Sequence, residues 1–378
     1  MKIKEFFFKN HANGWELEKT KFGDLTLLVG VSGVGKTQIL KSIQKLVEIS
    51  NGGSFHGIEW DTFFTVDNGS DYRWTGMFAA FKKNLRSKLN PPIIFEELYV
   101  DNKLIFKREL SDIKFEGNAI PKISPYRSVL GIFTEENAIM PIKSAFEKIT
   151  LFDYDNEKRV FDPRSIADIS GYIKNIERRK KSSPSEKTKQ IQDFIMRVKE
   201  HNMPISAKLH FVEKFHKGLF EEIVHDFQDV FPQVEDVRFK LLKEDNFYVL
   251  QIKEKGTGWI SLSEISSGMF KTLLHIAELK LMANGHVILI DEFENSLGVN
   301  CIDTVADSLL TPGRDIQYII TSHHPYIINN IDMKYWKVVT RKGSKVSTLN
   351  VEQLKLGKSK HEAFKQLLNL QEFTEGIS

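Results

Sequence analysis

The sequence contains a single cysteine, Cys301, and no apolar run that approaches the roughly 18 residues needed to cross a bilayer. One cysteine excludes both a disulfide framework and a thiolate zinc site within the chain. The first ten residues also lack the long apolar core of a signal peptide. These absences predict a cytoplasmic protein without a membrane partner.

A strong excess of one charge is missing too. The chain carries 53 Lys and Arg residues against 50 Asp and Glu residues, a net charge of +3, so overall charge does not indicate a nucleic-acid-binding protein. Hydrophobic residues make up 41% of the 378 positions and charged residues 27%, which is the balance of a globular protein with one large domain or two ordinary ones. Any basic surface must therefore be local.

The stretch Gly30–Thr37 matches the phosphate-binding loop pattern G-x-x-x-x-G-K-[ST] at every fixed position. It follows the apolar run Asp24–Val29, typical of a buried strand, and precedes Gln38–Val47, whose apolar residues share one helical face. Lys36 is expected to reach the β- and γ-phosphates of a nucleoside triphosphate, and the Thr37 hydroxyl to hold Mg²⁺. The predicted nucleotide-binding residues of the loop are Gly30, Ser32, Gly33, Gly35, Lys36, Thr37 and Gln38.

Two further apolar runs end in groups that suit phosphate chemistry. His286–Ile290 is followed by Asp291, expected to hold Mg²⁺, and by Glu292, expected to polarise the water that attacks the γ-phosphate. The other run ends at His323, which could contact the γ-phosphate. Together with His324 it could instead ligate a metal, although no suitable ligand cluster adjoins the pair. The predicted catalytic residues are Lys36, Glu292 and His323.

The triplet Ser266-Ser267-Gly268 precedes an amphipathic helix. A serine hydroxyl and glycine N–H groups at a helix N-terminus form an anion site, which makes Ser266, Ser267 and Gly268 candidate nucleotide-binding residues. On spacing alone, a plain helix cap explains the triplet better.

Helical spacing of apolar residues separates the middle of the chain from its two ends. Helices are predicted at 166–176, 190–198 and 219–231. Strands or extended stretches are predicted at 2–8, 15–19, 58–66, 93–100, 103–108, 123–132, 236–241 and 247–252. The pattern predicts an α/β protein whose parts are a first half of a nucleotide-binding domain (1–140), an inserted helical subdomain (141–232), the second half of that domain (233–345) and a helical C-terminal tail (346–378).

Together these motifs resemble the ABC-type ATPases, in particular the soluble RecF, SMC and OLD class. The order matches: Walker A at Gly30–Thr37, signature at Ser266–Met269, Walker B at Val287–Glu292, a D-loop-like stretch at Asn295–Leu297 and a switch histidine at His323. The resemblance covers about 1–133 and 239–339, but not the helical middle. It implies a P-loop ABC-type fold with a mixed sheet, ATP and Mg²⁺ as ligands, and ATP hydrolysis. It also implies a head-to-tail homodimer or higher homo-oligomer, in which each signature serine and glycine contact the ATP held by the partner.

The sequence departs from the family in two places. The signature reads Ser-Ser-Gly-Met rather than Ser-Gly-Gly-Gln. The family usually has a glutamine after the middle strand, but no glutamine occurs between Gln44 and Gln190. The candidates for that missing role are Ser128, Glu135 and Asn137. The helical block is too short for an SMC coiled coil, and the tail is too short for an OLD-type nuclease domain. Small ATPases of this kind are often paired with a nuclease or toxin in antiphage defence, so the resemblance implies an effector protein in trans.

One local basic stretch, residues 174–189, carries seven cations against two acids, a local charge of 7 − 2 = +5. Within it, Arg178, Arg179, Lys180 and Lys181 are candidate DNA-binding residues, because clustered cations release counterions from nucleic acid. A solvated helix face and loop explains the same charges. The resemblance implies an ATPase that controls an effector, and the basic segment adds DNA sensing to that prediction. The alternatives are a RecF-type repair ATPase and a transporter ATPase subunit, the latter disfavoured by the missing glutamine and the basic insertion.

Overall fold

The computed structural model describes residues 1–80, 90–109, 112–152, 160–161, 184–200, 203–242, 247–261, 264–294, 315–357, 360–374 and 376. The chain forms two compact units. Unit 1 comprises Met1–Phe152, Asn284–Phe293 and Gly313–Ser378, and unit 2 comprises Asp153–Ala283 and Glu294–Pro312. The predicted domain boundaries differ from these limits and stay predictions.

The strands, numbered along the chain, are β1 (Lys2–Asn10), β2 (Trp15–Lys21), β3 (Leu25–Val29), β4 (Ile58–Thr65), β5 (Asp71–Phe78), β6 (Ile93–Val100), β7 (Lys103–Glu109), β8 (Asp112–Phe115), β9 (Asn118–Ala119), β10 (Ile149–Phe152), β11 (Val160–Phe161), β12 (Val234–Leu242), β13 (Phe247–Glu254), β14 (Trp259–Ser261), β15 (Val287–Ile290), β16 (Gln317–Ser322), β17 (Trp336–Lys342) and β18 (Lys345–Asn350).

The helices are α1 (Lys36–Ser50), α2 (Val129–Ile132), α3 (Met140–Glu147), α4 (Pro184–Glu200), α5 (Ile205–Phe215), α6 (Lys217–Val230), α7 (Ser267–Leu281), α8 (Pro325–Asn330), α9 (Lys360–Asn369) and α10 (Gln371–Thr374), with a 3₁₀ turn at Met333–Tyr335. None of the helices in the described ranges is both long and apolar enough to cross a membrane.

The described strands of unit 1 form one mixed sheet in the order β10-β15-β16-β3-β17-β18-β2-β1-β4-β5-β6-β7-β8-β9. The first five strands of this order run parallel, whereas the strands from β2 to β9 pair antiparallel. Every residue of β3, β15 and β16 is buried, as expected for parallel strands covered on both faces. Because these strands are parallel, their carboxyl ends meet at one edge of the sheet.

Helix α1 packs its apolar face into the core of unit 1. Five residues at helical spacing are completely buried: Ile39, Leu40, Ile43, Leu46 and Ile49. They belong to one hydrophobic cluster with Leu28, Leu289 and Ile319, one residue from each of three adjacent parallel strands. Burying one such side chain stabilises the fold by about 1.5–3 kcal/mol. The packing therefore fixes the start of α1, and the phosphate loop before it, beside the carboxyl ends of these strands.

Aromatic side chains fill the core beneath the antiparallel half of the sheet. The rings of Trp60 and Trp74 have centroids 5.1 Å apart, and Phe146 of α3 lies 5.3 Å from Phe64 and 5.4 Å from Trp74. These edge-to-face contacts are the geometry that aromatic pairs prefer. They attach α3 to the strands that carry the aromatic residues.

Unit 2 combines helices α4 to α7 with a small antiparallel sheet. In that sheet β13 pairs with β12, β11 and β14. Phe194 of α4 contacts Phe211 of α5 with ring centroids 5.8 Å apart, and both rings are buried. The predicted helices at 190–198 and 219–231 and the strands at 236–241 and 247–252 are confirmed. The predicted helix at 166–176 lies outside the described residues.

In unit 1 the predicted strands are confirmed except the one at 123–132. Residues 123–132 are not extended, because Ser128 caps the short helix α2 by accepting the Gly131 N–H (3.3 Å) and donates its own hydroxyl to the Ile49 carbonyl (2.9 Å). The predicted helical tail also begins with a strand, β18, in which the buried Val346 pairs with Arg341 of β17 and Leu17 of β2. Both departures depend on contacts that are distant in sequence.

A buried ion pair joins the antiparallel strands to the chain before α2. Glu96 is completely buried and lies 3.6 Å from Arg108. Its carboxylate accepts the Trp74 Nε1–H (3.0 Å) and the Val129 N–H (3.0 and 3.1 Å). Arg108 also donates to the Arg127 carbonyl (3.1 Å). Burial outweighs these favourable contacts and raises the pKa of Glu96 from its ordinary value of 4.5 to about 7.

The buried Glu96 should make the stability of the fold depend on pH. Between pH 4.5 and about 7 the folded protein holds a proton that the unfolded chain has released, so the free energy of unfolding falls as the pH rises through this window. The loss is at most about 3 kcal/mol. Glu96→Gln does not titrate, so we expect this part of the pH dependence to disappear when Tm values at about pH 5 and about pH 8 are compared by calorimetry. The neighbouring Glu97→Gln is the control and should keep the wild-type dependence. An unchanged dependence in Glu96→Gln would contradict the assignment.

Candidate functional site

The phosphate loop connects β3 to α1. Gly33 and Gly35 adopt φ angles of +87° and +112°, in the left-handed region that favours glycine. A Cβ atom at Gly33 would have no heavy atom within 4 Å, whereas one at Gly35 would lie 3.1 Å from Val346. Within the described residues no side chain caps the start of α1, whose first N–H groups have no partner inside the helix. This helix start is thus suited to an anion.

Lys36 lies buried at the start of α1. Its ammonium donates to the carbonyl oxygens of Gly30 (2.7 Å) and Val31 (3.0 Å), both in the phosphate loop. The loop therefore holds its cation at its own centre, where anionic oxygens would replace carbonyl oxygens as acceptors.

Asp291 joins the end of β15 to the phosphate loop. Its Oδ1 accepts the Thr37 hydroxyl (3.0 Å) and the Thr321 hydroxyl (2.7 Å). Glu292 is exposed and has a φ of +45°, unusual for a residue other than glycine. The structure thus brings the predicted metal ligands Thr37 and Asp291 into direct contact.

The two histidines after β16 differ in their surroundings. His323 is exposed, whereas the half-buried His324 accepts the Tyr326 N–H at Nδ1 (3.3 Å) and caps α8. One group of three potential metal ligands occurs in the described part of the chain. It consists of His225, Asp226 and Asp229 in unit 2 and does not include the histidine pair.

A cleft of about 470 Å³ opens over the phosphate loop. Its lining residues are Asn13, Trp15, Ser32, Gly33, Gly35, Lys36, Thr37, Gln38, Glu292, Arg341 and Ser344. A second cleft of about 390 Å³ shares Asn13, Trp15 and Gln38 with the first. The predicted loop residues from Ser32 to Gln38 therefore line one cavity with the predicted catalytic Glu292, whereas Gly30 and His323 are not among its lining residues. Trp15 lines both clefts.

Sequence reasoning missed the lining residues that lie outside the motifs. Trp15 follows an Asn-Gly turn at the start of β2, and within the described ranges its buried Nε1 has no hydrogen-bond partner. Arg341 donates from Nη1 to the Gly33 carbonyl (3.3 Å). Both residues reach the loop because β17, β18 and β2 are neighbours in the sheet. The hairpin turn was a usable signal for Trp15, but the order of the strands was not visible in the sequence.

The signature triplet lies in unit 2, at the start of α7. Ser266 accepts the Met269 N–H at Oγ (3.2 Å) and caps the helix, as the plain alternative predicts. Ser266 and Ser267 are exposed. A nucleotide-binding role for Ser266, Ser267 and Gly268 stays a prediction.

Some predicted residues are buried elsewhere or fall outside the described ranges. The hydroxyl of Ser128 is hydrogen-bonded to Ile49 and Gly131, whereas Glu135 and Asn137 are exposed. The D-loop-like stretch and the four basic candidates lie outside the described residues: Asn295–Leu297, Arg178, Arg179, Lys180 and Lys181.

Parts of the chain are similar to known proteins. Residues 205–329 match a family described as "AAA domain, putative AbiEii toxin, Type IV TA system". The phosphonates import ATP-binding protein PhnC of Mesoplasma florum is 23% identical over 138 residues, or 36% of this chain. The match spans 48%, about half, of that curated relative.

One solved SMC head structure is similar in fold to most of this chain. The SMC head bound to the C-winged helix domain of ScpA has a TM-score of 0.52 at 15% identity, covering 94% of this chain and 99% of that one. The SMC head domain from Thermotoga maritima has a TM-score of 0.42 at 13% identity, with 93% and 99% covered. The first of these structures, the AAA domain match and the phosphate loop confirm the mixed α/β fold and the predicted resemblance to the ABC-type ATPases of RecF and SMC type.

Proposed function

We propose that this protein binds ATP with Mg²⁺ and hydrolyses it to ADP and phosphate. The observation that carries the proposal is the 470 Å³ cleft, which is lined by Lys36 and Thr37 of the phosphate loop and by Glu292, the residue after Asp291. The site fits a triphosphate, because the glycine loop leaves open space at Gly33 and the helix start offers uncapped N–H groups. Release of phosphate from ATP by the purified protein, with and without Mg²⁺, tests the proposal.

Four polar groups in or beside the cleft have a role in this reaction. Lys36 would donate to oxygens of the β- and γ-phosphates in place of the loop carbonyl oxygens that it now contacts. The hydroxyl of Thr37 and the carboxylate of Asp291 are oxygen ligands of the kind that Mg²⁺ prefers. When bound, the ion neutralises charge that develops on the phosphates. Glu292 would accept the proton of the attacking water.

The indole of Trp15 offers a surface for the nucleotide base. It lies at the junction of the two clefts, with Asn13 beside it and its Nε1 facing the loop near Gly35. Bases stack on aromatic rings with little dependence on their identity. We therefore place the phosphates over the loop and the base against Trp15.

Trp15→Ala should weaken ATP binding about tenfold, because a base–aromatic stack contributes about 1–3 kcal/mol. Trp15→Phe keeps a ring and should lose much less. Equilibrium binding of ATP and of inorganic triphosphate separates the base from the phosphates, since only ATP binding should respond to Trp15→Ala. Equal losses for both ligands would show that Trp15 supports the loop rather than the base.

The active form is proposed to be a head-to-tail homodimer or higher homo-oligomer. Ser267 is exposed at the first residue of α7, where a helix N-terminus favours anions. In this arrangement Ser267 and Gly268 of one subunit complete the ATP site of its partner. The nucleotide-binding set then includes the signature residues predicted from the sequence.

The biological role we propose is control of an effector protein, a nuclease or toxin, in antiphage defence within the cytoplasm. The description of the matched family names a toxin and a toxin–antitoxin system, which favours a partnered ATPase. DNA sensing through the basic segment 174–189 is part of the proposal. A RecF-type repair ATPase is the first alternative. A transporter subunit is the second, favoured by the name of the PhnC relative alone.

Purification with the co-expressed products of neighbouring genes distinguishes these roles. A bound nuclease or toxin would support effector control. DNA without a protein partner would favour repair, and a membrane protein would favour transport.

A further inference from the structure

Thr321, the penultimate residue of β16, contacts three consecutive residues at the end of the neighbouring strand. Its hydroxyl donates to Asp291 Oδ1 (2.7 Å) and accepts the Glu292 N–H (2.7 Å). Its carbonyl accepts the Phe293 N–H (3.0 Å). One residue therefore fixes the side chain of the first acidic residue and the backbone of the two that follow.

The surroundings of Thr321 are apolar, so its hydroxyl would lower the stability of the fold if it had no hydrogen bond. Thr321 is completely buried and lies opposite Leu28 of β3, after the apolar residues Ile319 and Ile320. Valine has the same shape and suits a buried strand. A hydroxyl buried here without partners would destabilise the fold, but this one acts as both donor and acceptor.

The backbone held by Thr321 is an unusual one. Glu292 has a φ of +45°, a conformation that side chains other than glycine seldom adopt. Thr321 accepts the N–H groups of the two peptide units that flank Glu292, those of Glu292 and Phe293, and so stabilises the turn. Thr37 donates to the same Asp291 oxygen from the phosphate loop (3.0 Å), so two hydroxyls orient the carboxylate.

We infer that Thr321 is a positioning residue for hydrolysis. It orients Asp291 toward Thr37 and holds the Glu292 backbone in the conformation that exposes its carboxylate to the cleft. The inference rests on the proposed ATP hydrolysis and gives β16 a direct link with both acidic residues. It concerns the hydroxyl of Thr321, not its methyl group.

Replacing Thr321 by valine removes the hydroxyl and keeps the shape. We expect kcat to fall about 10- to 100-fold and the Mg²⁺ concentration for half-maximal activity to rise about tenfold, because supporting hydrogen bonds of this kind contribute such factors. The affinity for ATP in EDTA should change by less than about twofold, since Lys36 and the loop glycines are untouched. Thr321→Ser restores the hydroxyl and should recover activity to within about threefold of wild type.

Thr340→Val is the matched control. Thr340 is also completely buried in a strand of unit 1, but among the described residues its hydroxyl has no hydrogen-bond partner. This variant should hydrolyse ATP like wild type. If Thr321→Val does not fold, as judged by thermal unfolding, Thr321→Cys replaces it as a variant with a much weaker donor.

Two results would overturn the inference while ATP hydrolysis stands. One is a Thr321→Val enzyme with wild-type kcat and Mg²⁺ dependence. The other is an equal loss in Thr321→Ser and Thr321→Val, which would assign the effect to packing of the methyl group. A wild-type protein that releases no phosphate from ATP would instead refute the proposed function, and the inference with it.

Discussion

Glu292→Gln is expected to slow ATP hydrolysis by about 10²- to 10⁴-fold, the usual contribution of a positioned general base. The amide has nearly the shape of the carboxylate but cannot take a proton from water. Because the phosphate loop is unchanged, ATP should still bind. Steady-state phosphate release and equilibrium binding of labelled ATP measure the two effects separately.

Lys36→Ala is the complementary change. It removes the ammonium that the loop carbonyls of Gly30 and Val31 hold at the centre of the site. The triphosphate then loses its cationic partner, so binding itself should fail. A Glu292→Gln protein that hydrolyses ATP as fast as wild type would show that another group, such as His323, is the base.

Mixing two inactive variants should restore ATP hydrolysis if the sites are shared between subunits. A Lys36→Ala subunit has a damaged phosphate loop and an intact signature, and a Ser267→Arg subunit has the reverse. In their heterodimer one site receives both damaged parts and the other receives both intact parts. Random mixing in equal amounts should return about a quarter of the wild-type rate, because about half of the dimers are mixed and each has one intact site.

The control for this experiment is each variant alone at the same total concentration, which should be inactive. A mixture no more active than the two separate proteins would mean that each subunit works alone. Light scattering of Glu292→Gln with ATP provides an independent check, since slow hydrolysis should hold the protein as a dimer or larger. A persistent monomer at micromolar concentration would argue strongly against composite sites.

The parts of the site that were predictable are those encoded by short stretches of sequence. Gly30–Thr37 could be identified because its glycines, lysine and threonine act within one loop and the next helix turn. Asp291 and Glu292 were identified from their place after a buried strand, because the carboxyl ends of parallel strands share an edge. The structure places Glu292 and most of the loop from Ser32 to Thr37 in the lining of one cleft, and it bonds Asp291 to Thr37.

The parts that were missed depend on which strands are neighbours. Trp15 lines the cleft because β2 lies beside β18, and Thr321 reaches Asp291 because β16 lies beside β15. The order of strands in a sheet this large cannot be predicted from the alternation of apolar and polar residues or from strand propensity. The error at 123–132 has the same cause. The apolar residues favour an extended chain, but Ser128 bonds to Ile49, which is far away in sequence, and the chain turns into α2.

The position of β3 in the sheet has a consequence for biosynthesis. Its Leu25 pairs with Tyr318 of β16, and its Leu27 pairs with Trp336 of β17. On the ribosome, β3 and the phosphate loop emerge long before β16 and β17, the two neighbours of β3 in the sheet. The antiparallel strands β4 to β7 pair with near neighbours in sequence and can form while translation continues. The antiparallel strands of the nascent chain can therefore form first, and the proposed ATP site can be completed only after synthesis has passed β17.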